Sequence, residues 1–327
     1  MIISRTPYRI SFFGGGTDYP AWYEENGGAV LATAIDKYCY ITCRYLPPFF
    51  EHKSRIVYSQ TELVNDVDEI RHLSVRETLK FMGVDQGVEI HHDGDLPSRS
   101  GLGTSSSFTV GLLNALYALK GSMPTKMQLA LEAVNIEQKR IHESVGSQDQ
   151  VMAAFGGLNR VDFDRNGFQV NPVILGGERL NDFQGCLMLF FTGLSRTASQ
   201  IAKNQIMAIN DKKHELSEMY QMVGEGIKIL NSGADLDDFG RLLHESWKLK
   251  RSLTSRISSL YIDYIYDSAR DAGAVGGKIL GAGGGGFILF FVKPELQDKV
   301  KERLNSLLYV PFRFENSGSR IIYYSGV

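Results

Sequence analysis

The sequence predicts a two-domain α+β protein. Three observations lead there: strand-like and helix-like segments alternate along the whole chain, few long irregular gaps separate them, and Gly176-Gly177 with the polar residues after it marks a junction near the middle. With 327 residues, 43% hydrophobic and 22% charged, the chain can bury a large core and exceeds the usual size of one domain. The expected units are residues 1–180 and 181–327.

In order, Met1 to Arg5 begins as a strand, residues 27–45 read as extended, 56–60 as a short strand, 67–82 as a helix and 87–92 as another strand. Phe108, Val110, Leu112, Leu113, Ala115, Leu116 and Leu119 then form a broad helical apolar face, and Gly121 ends that helix at C′. A second helix is expected from Thr125 to Glu143, with Ala130, Leu131, Val134 and Ile141 on one face. Strands follow at 158–163 and 168–175. The second half reads as a strand at 185–192, helices at about 196–230, 235–248 and 258–272, then a strand, a glycine hairpin and another strand. Pro294 opens a final surface helix in the charged stretch from Glu295 to Asn305, before two closing strands.

Composition narrows the function. A formal net charge of −2 gives no global field to recruit nucleic acid or an anionic membrane, so any small anion must be held by local groups. Cys39 and Cys43 read as core residues on one face of a strand, and three cysteines make no disulfide framework and fit a reducing compartment. His91-His92-Asp93-Gly-Asp95 lacks a further ligand at fixed spacing, so no metal site is read from it. The longest apolar runs, such as Phe287 to Val292, fall far short of the ~20 residues that span a bilayer, and no targeting segment is visible. A cytoplasmic protein with neither nucleic-acid nor membrane partner is expected.

Three glycine clusters carry the chemistry. Pro97-Ser-Arg-Ser-Gly-Leu-Gly-Thr-Ser-Ser-Ser107 runs straight into the apolar helix. Gly101 and Gly103 let the backbone approach an anion without Cβ obstruction, and a helix N-terminus supplies free N–H donors and a positive dipole end. Near the N-terminus stands Arg9-Ile-Ser-Phe-Phe-Gly-Gly-Gly-Thr-Asp18. Near the C-terminus, Gly281-Ala-Gly-Gly-Gly-Gly286 formally satisfies GxGxxG, but a β-rich run follows where a dinucleotide fold needs a helix. The context is a strand–loop–strand hairpin whose bare backbone lies against phosphates and the phosphate loop, or against a neighbouring strand. A Walker A loop is absent.

In this order and at these distances the three clusters resemble the motif set of the GHMP kinases, with Thr104 where Ser is commoner in PxxxGLGSS. The resemblance spans nearly the whole chain. It implies an N-terminal domain like ribosomal protein S5 domain 2, a ferredoxin-like C-terminal domain, an active site between them, and ATP as phosphoryl donor. The segments RISFFGGGTDYPAWYEENGG, GSQDQ at 146–150, FTGLSRTASQI at 191–201 and LHESWKLKRSL at 243–253 are further similar to the D-glycero-D-manno-heptose 7-phosphate kinases of bacterial surface-polysaccharide synthesis. Galactokinases and fucose kinases are the nearest alternatives.

Matched residue by residue, the resemblance implies a nucleotide-phosphate loop of Pro97, Ser98, Arg99, Ser100, Gly101, Leu102, Gly103, Thr104, Ser105 and Ser106. Ser105 and Glu137 resemble the Mg²⁺ ligands. Asp149 resembles the catalytic aspartate, whether as base or as orienting group, although GSQDQ departs from the SGVDN wording of mevalonate and galactose kinases. Arg9 resembles the arginine beside that aspartate. On residue type alone, Glu137 could instead be a solvated helix position, Asp149 a helix N-cap and Arg9 a surface strand residue.

Gly15, Gly16, Thr17 and Asp18 resemble the sugar-recognising GEHTDY element of galactokinase, with Glu and His replaced by glycine. That departure opens space and favours a larger sugar than galactose. Trp22 is a candidate to stack on a sugar ring, and Trp247 reads as core. Arg196, Lys250 and Arg251 are expected on a substrate phosphate, because Arg binds phosphate in a fork and Lys as a point charge; Lys250 and Arg251 read equally as a charged helix face. Gly283 and Gly284 are expected near the substrate. Non-catalytic sugar sensors share this fold, and the joint presence of Ser105, Glu137 and Asp149 argues for turnover.

Overall fold

The computed structural model describes residues 1–193 and 198–326. Its elements are β1 (Ile2–Phe13), α1 (Pro20–Asn26), β2 (Gly28–Tyr45), β3 (Ser54–Val57), β4 (Thr61–Val64), α2 (Leu73–Met82), β5 (Val88–Gly94), α3 (Thr104–Leu119), α4 (Lys126–Val134), α5 (Gln148–Phe155), β6 (Leu158–Asp164) and β7 (Gly167–Pro172). There follow α6 (Gly177–Gly185), β8 (Leu187–Gly193), α7 (Ala198–Met207), α8 (Lys213–Asn231), α9 (Asp237–Leu253), α10 (Leu260–Ala272), β9 (Gly276–Ile279), β10 (Gly286–Phe291), α11 (Gln297–Arg303), β11 (Leu308–Tyr309) and β12 (Arg320–Tyr324).

Two sheets result. The larger runs β12-β1-β2-β5-β3-β4, with β6 beside the first half of β2 and β7 beyond it; the smaller runs β11-β8-β10-β9. Every pairing is antiparallel except β3 with β5. From Thr6 onward every residue of β1 is buried, as a strand covered on both faces requires. Helix α3 lies on β1 and β2 and buries nearly its whole surface. It comes close because Gly111 has no side chain: a Cβ there would stand 2.8 Å from Thr6 Oγ1, and in its absence Ser4 Oγ donates to Gly111 O at 2.8 Å.

The expected helix over 67–82 is two pieces. Glu62 accepts from the main-chain N–H groups of Arg71 and His72, which a continuous helix would have used internally. Asp66 caps a short 3₁₀ turn, and α2 starts after His72. The expected 125–143 helix passes from α4 into a π-helical turn, Asn135–Arg140, and stops short of Glu143. Leu131 is exposed, so the inward face of α4 belongs instead to Leu129, Ala130 and Ala133. Thr125 caps α4 and Gly121 follows α3 at φ 69°, both as the residue types require. Cys39 and Cys43 are fully buried core residues.

The Gly176-Gly177 junction opens α6 directly. Phe183 from that helix meets Phe12, Phe239 and Phe314 with ring centroids 4.7–5.7 Å apart, an aromatic contact joining the two halves. The end of the chain also crosses back: β12 pairs with β1, and Glu315 N donates to Ala34 O. A single cut at residue 180 therefore does not separate the sheets. Gly156 receives the returning segment so closely that a Cβ would lie 2.2 Å from the Ser317 carbonyl carbon.

Gly156→Ala should thus cost more than about 3 kcal/mol, combining left-handed strain with backbone collision. Gly83→Ala, at similar φ with nothing within 4 Å, should cost about 1 kcal/mol. Urea unfolding of both variants checks this; equal losses would show that the returning segment does not constrain Gly156.

Candidate active site

A cleft of about 600 Å³ lies between the units, and the phosphate loop forms one wall. Arg99, Gly101 and Gly103 take φ of 58°, 88° and 73°, and Thr104 Oγ1 accepts from Arg99 N, closing the loop on itself. Gly103 caps α3 without any side-chain acceptor, so the first N–H groups of a 16-residue helix stay available to an anion. Gly101, Gly103, Thr104, Ser105 and Ser106 line the cleft; Pro97 and Ser98 are exposed outside it, and Leu102 turns into the core, where its carbonyl accepts from Arg9 N.

The third glycine cluster packs its backbone on this loop. A Cβ on Gly281 would stand 2.5 Å from Gly101 Cα, a Cβ on Gly286 2.3 Å from Ser100 O, and Phe287 N donates to Ser100 O at 3.1 Å. Gly281 reaches the cleft. Gly283 and Gly284 instead face the segment after α9, where a Cβ on Gly283 would meet Ile257 and Gly284 N donates to Ile257 O; they do not line the cleft.

Arg9 and Asp149 form the centre. Arg9 Nε and Nη2 each approach Asp149 Oδ1 at 2.7 Å, while Nη1 donates to Gly101 O at 2.8 Å. Arg9 is 4% exposed, not a surface strand residue. Asp149 sits in the first turn of α5, whose N-cap is Ser147, so it is not the cap. A Cβ on Gly103 would lie only 3.3 Å from Arg9 and 3.4 Å from Asp149, which sets the pair directly against the phosphate loop.

Glu137 is fully buried on the π-helical turn, not a solvated helix position. Its Oε2 accepts from Ser106 Oγ at 2.8 Å and Gln150 Nε2 at 2.5 Å, and Oε1 has no partner among the described residues. The hydroxyl touching Glu137 is thus that of Ser106, while Ser105 is exposed at the cleft wall. Burial pushes the Glu137 carboxyl up to about 7. An orphaned carboxylate oxygen on a carboxylate that already holds the Ser106 hydroxyl is the kind of hard-oxygen donor that Mg²⁺ takes, with water or phosphate filling its other positions. No cluster of three or more His, Cys, Asp or Glu stands ready for a metal among the described residues, and His91 and His92 engage Glu89 and Phe108.

In the turn after β1, Asp18 accepts from Gly16 N at 2.9 Å and from Gln148 N and Nε2 at 3.3 and 3.0 Å, and burial raises its pKa. Gly146 must be glycine, since a Cβ would fall 1.9 Å from Asp18 Oδ2. Gly15 and Gly16 line the cleft. Thr17 does not: it is fully buried, donating to the carbonyls of Gly14 and Ala29 and pinning the turn. Trp22 is likewise core, 2% exposed, and cannot reach a ligand.

Opposite lie two lysines. Lys250 leaves the charged face expected of its helix, is 6% exposed, and donates to the carbonyls of Ile279 and Gly281; burial brings it down to about 7. Lys278 is 2% exposed and donates to Phe12 O at 2.8 Å. Arg251 pairs with Asp263 at 3.3 Å over the Trp247 ring and does not line the cleft. Arg196 lies outside the described residues. Sequence reasoning missed Lys278, Ser11 and Gln148; a lysine inside the apolar strand GGKIL was the available signal, because buried lysines are rare without a task.

Such a cleft suits transfer of an anionic group between two bound molecules. Residues 70–157 match the model of the GHMP kinases N terminal domain, and residues 228–310 that of the GHMP kinases C terminal. The D-glycero-alpha-D-manno-heptose 7-phosphate kinase of Campylobacter jejuni is 30% identical over 305 residues, 90% of this chain and 90% of that protein. The crystal structure of a D-glycero-D-manno-heptose 1-phosphate kinase from Bacteroides thetaiotaomicron is similar at TM-score 0.74 and 26% identity, covering 100% of both chains. A putative sugar kinase from Campylobacter jejuni gives 0.70 and 26%, covering 98% of this chain and 97% of that one. The chain belongs to the GHMP kinases and has their two-domain fold.

The Glu137 environment has a measurable consequence. Its folded pKa is raised from 4.5 to about 7, so the stability this favours is present below pH 4.5 and lost as pH rises through 7. Glu137→Gln removes that dependence. In metal-free protein, the unfolding free energy of the variant minus that of wild type should climb between pH 4.5 and about 7 and be flat above. Urea unfolding in a chelator across this range reads it, and a pH-independent difference would contradict the burial argument.

Proposed function

We propose that this GHMP kinase transfers the γ-phosphoryl group of ATP to the anomeric hydroxyl of D-glycero-D-manno-heptose 7-phosphate, giving the 1,7-bisphosphate for nucleotide-activated heptose and surface polysaccharide. As a family member it is an ATP-dependent sugar kinase. The observation that carries the reading is Asp149, clamped by Arg9 at the open end of α3, inside a cleft that two buried lysines also line. Similarity to two heptose phosphate kinases supports a heptose phosphate as acceptor, one of them named for the 7-phosphate and the other for the 1-phosphate.

The roles follow from charge. The α3 N-terminus and the loop glycines bind the ATP phosphates by main-chain N–H groups. Both Arg9 contacts fall on Asp149 Oδ1, which leaves Oδ2 for the acceptor hydroxyl, to orient it or to take its proton. Glu137 with Ser105 and Ser106 would hold Mg²⁺, which when bound neutralises charge on the phosphate oxygens. Asp18, with Gly15 and Gly16, borders the sugar, Lys250 meets an anionic part of it, and Arg196 is assigned to the sugar's phosphate on sequence alone.

The deciding experiment is product analysis by ³¹P NMR with ATP against a panel of sugars and sugar phosphates. A 1,7-bisphosphate product is expected; turnover of free fucose or galactose alone would replace the substrate and keep the kinase, and no turnover of any would favour a sensor. Asp149→Asn should lower kcat by roughly 10²- to 10⁴-fold with little change in ATP affinity. Wild-type turnover in that variant would remove Asp149 from the chemistry.

A further inference from the structure

Lys278 and Lys250 are two buried amines whose hydrogen bonds go only to main-chain carbonyls: Phe12 O for the first, Ile279 O and Gly281 O for the second. An ammonium has three donors. Two on Lys278 and one on Lys250 therefore have no protein acceptor among the described residues, and both side chains line the cleft. Ser11, 6% exposed and also lining the cleft, has a hydroxyl with no partner among the described residues. The charged groups facing the lysines are Arg9, Asp18 and Asp149. Asp149 bonds Arg9 and Asp18 accepts from three N–H groups, and neither carboxylate hydrogen-bonds either lysine among the described residues. Burial and the neighbouring cations lower both lysines, and an anion bound between them would favour their charged form.

We propose that Lys278, with Lys250 and the Ser11 hydroxyl, is a receiver for the phosphate group that the acceptor already carries. This rests on the sugar-phosphate reading above. The acceptor side is indicated by Lys278, which hangs from the carbonyl of Phe12, immediately before the Gly14–Gly16 turn and Asp18. A Cβ built on Gly15 in that turn would stand 3.6 Å from Ser11 Oγ. Several unfilled donors lining one cleft match a tetrahedral anion with several acceptor oxygens better than a neutral hydroxyl.

The test is steady-state kinetics of wild type, Lys278→Met and Ser11→Ala with heptose 7-phosphate and with dephosphorylated heptose, each at saturating ATP, followed by ATP titration. For Lys278→Met, KM for the phosphorylated acceptor should rise at least 30-fold more than KM for the free sugar, and Ser11→Ala should move the same ratio by about 3- to 10-fold. Equal effects on both acceptors, or a change confined to KM for ATP, would overturn the receiver and assign the lysines to the transferring phosphoryl group. If Lys278→Met fails to fold, as judged by its thermal transition, Lys250→Met and Ser11→Ala carry the comparison. If wild type uses only unphosphorylated sugars, the functional reading fails, and the receiver is judged by inorganic phosphate. Phosphate competing with the sugar in wild type, at least tenfold more weakly in Lys278→Met, upholds it; equal inhibition of both overturns it.

Discussion

The cleft exists because two stretches of bare backbone touch. Ser100 and Gly101 of the phosphate loop lie against Gly281 and Gly286 of the hairpin at separations that no Cβ would permit. The loop is held in a left-handed conformation on one side and by a strand-like hydrogen bond to Phe287 on the other. Part of the charged machinery hangs from this seam: Arg9 donates to the Gly101 carbonyl, Lys250 to that of Gly281, and α3 opens three residues after Gly101. Side chains would add contact area here, but they would part the units and widen the cleft.

The second constraint is the burial of charge. Asp18, Glu137, Lys250 and Lys278 are all removed from water, and each has its ionised form disfavoured by that burial. A core of this kind is a poor way to stabilise a fold and a good way to preorganise a site, because the fixed dipoles and charges need no rearrangement when a charged ligand arrives. The stabilisation comes from elsewhere: the almost wholly buried α3 on β1 and β2, and the Phe12, Phe183, Phe239 cluster at the junction. The hydrophobic scaffold therefore offsets the cost of the polar floor.

Much of this was legible in the sequence, for physical reasons. The three glycine clusters announce themselves because close backbone approach leaves few alternatives to glycine, and Arg9 with Asp149 followed from the family resemblance. What stayed hidden depends on rotation about a helix or on long-range packing. Whether Ser105 or Ser106 meets Glu137 is a matter of 100° around α3, the direction taken by Arg251 as against Lys250 is the same problem on α9, and Thr17 and Trp22 look like ligand contacts until the core is seen around them. The break between the 3₁₀ turn and α2 is made by Glu62, a residue on another strand, which no local pattern reports.

The return of β12 to β1 bears on how the protein is made. Ile2 pairs with Tyr324, so the outermost partner of the first strand is synthesised about 320 residues after it. At bacterial elongation rates, on the order of half a minute separates the two. During that interval β1 is an open edge, and Gly156 waits for Ser317 and Gly318. The edge carrying Ile2 to Arg5 therefore stays unpaired, and in need of protection, until residues 320–324 have been made.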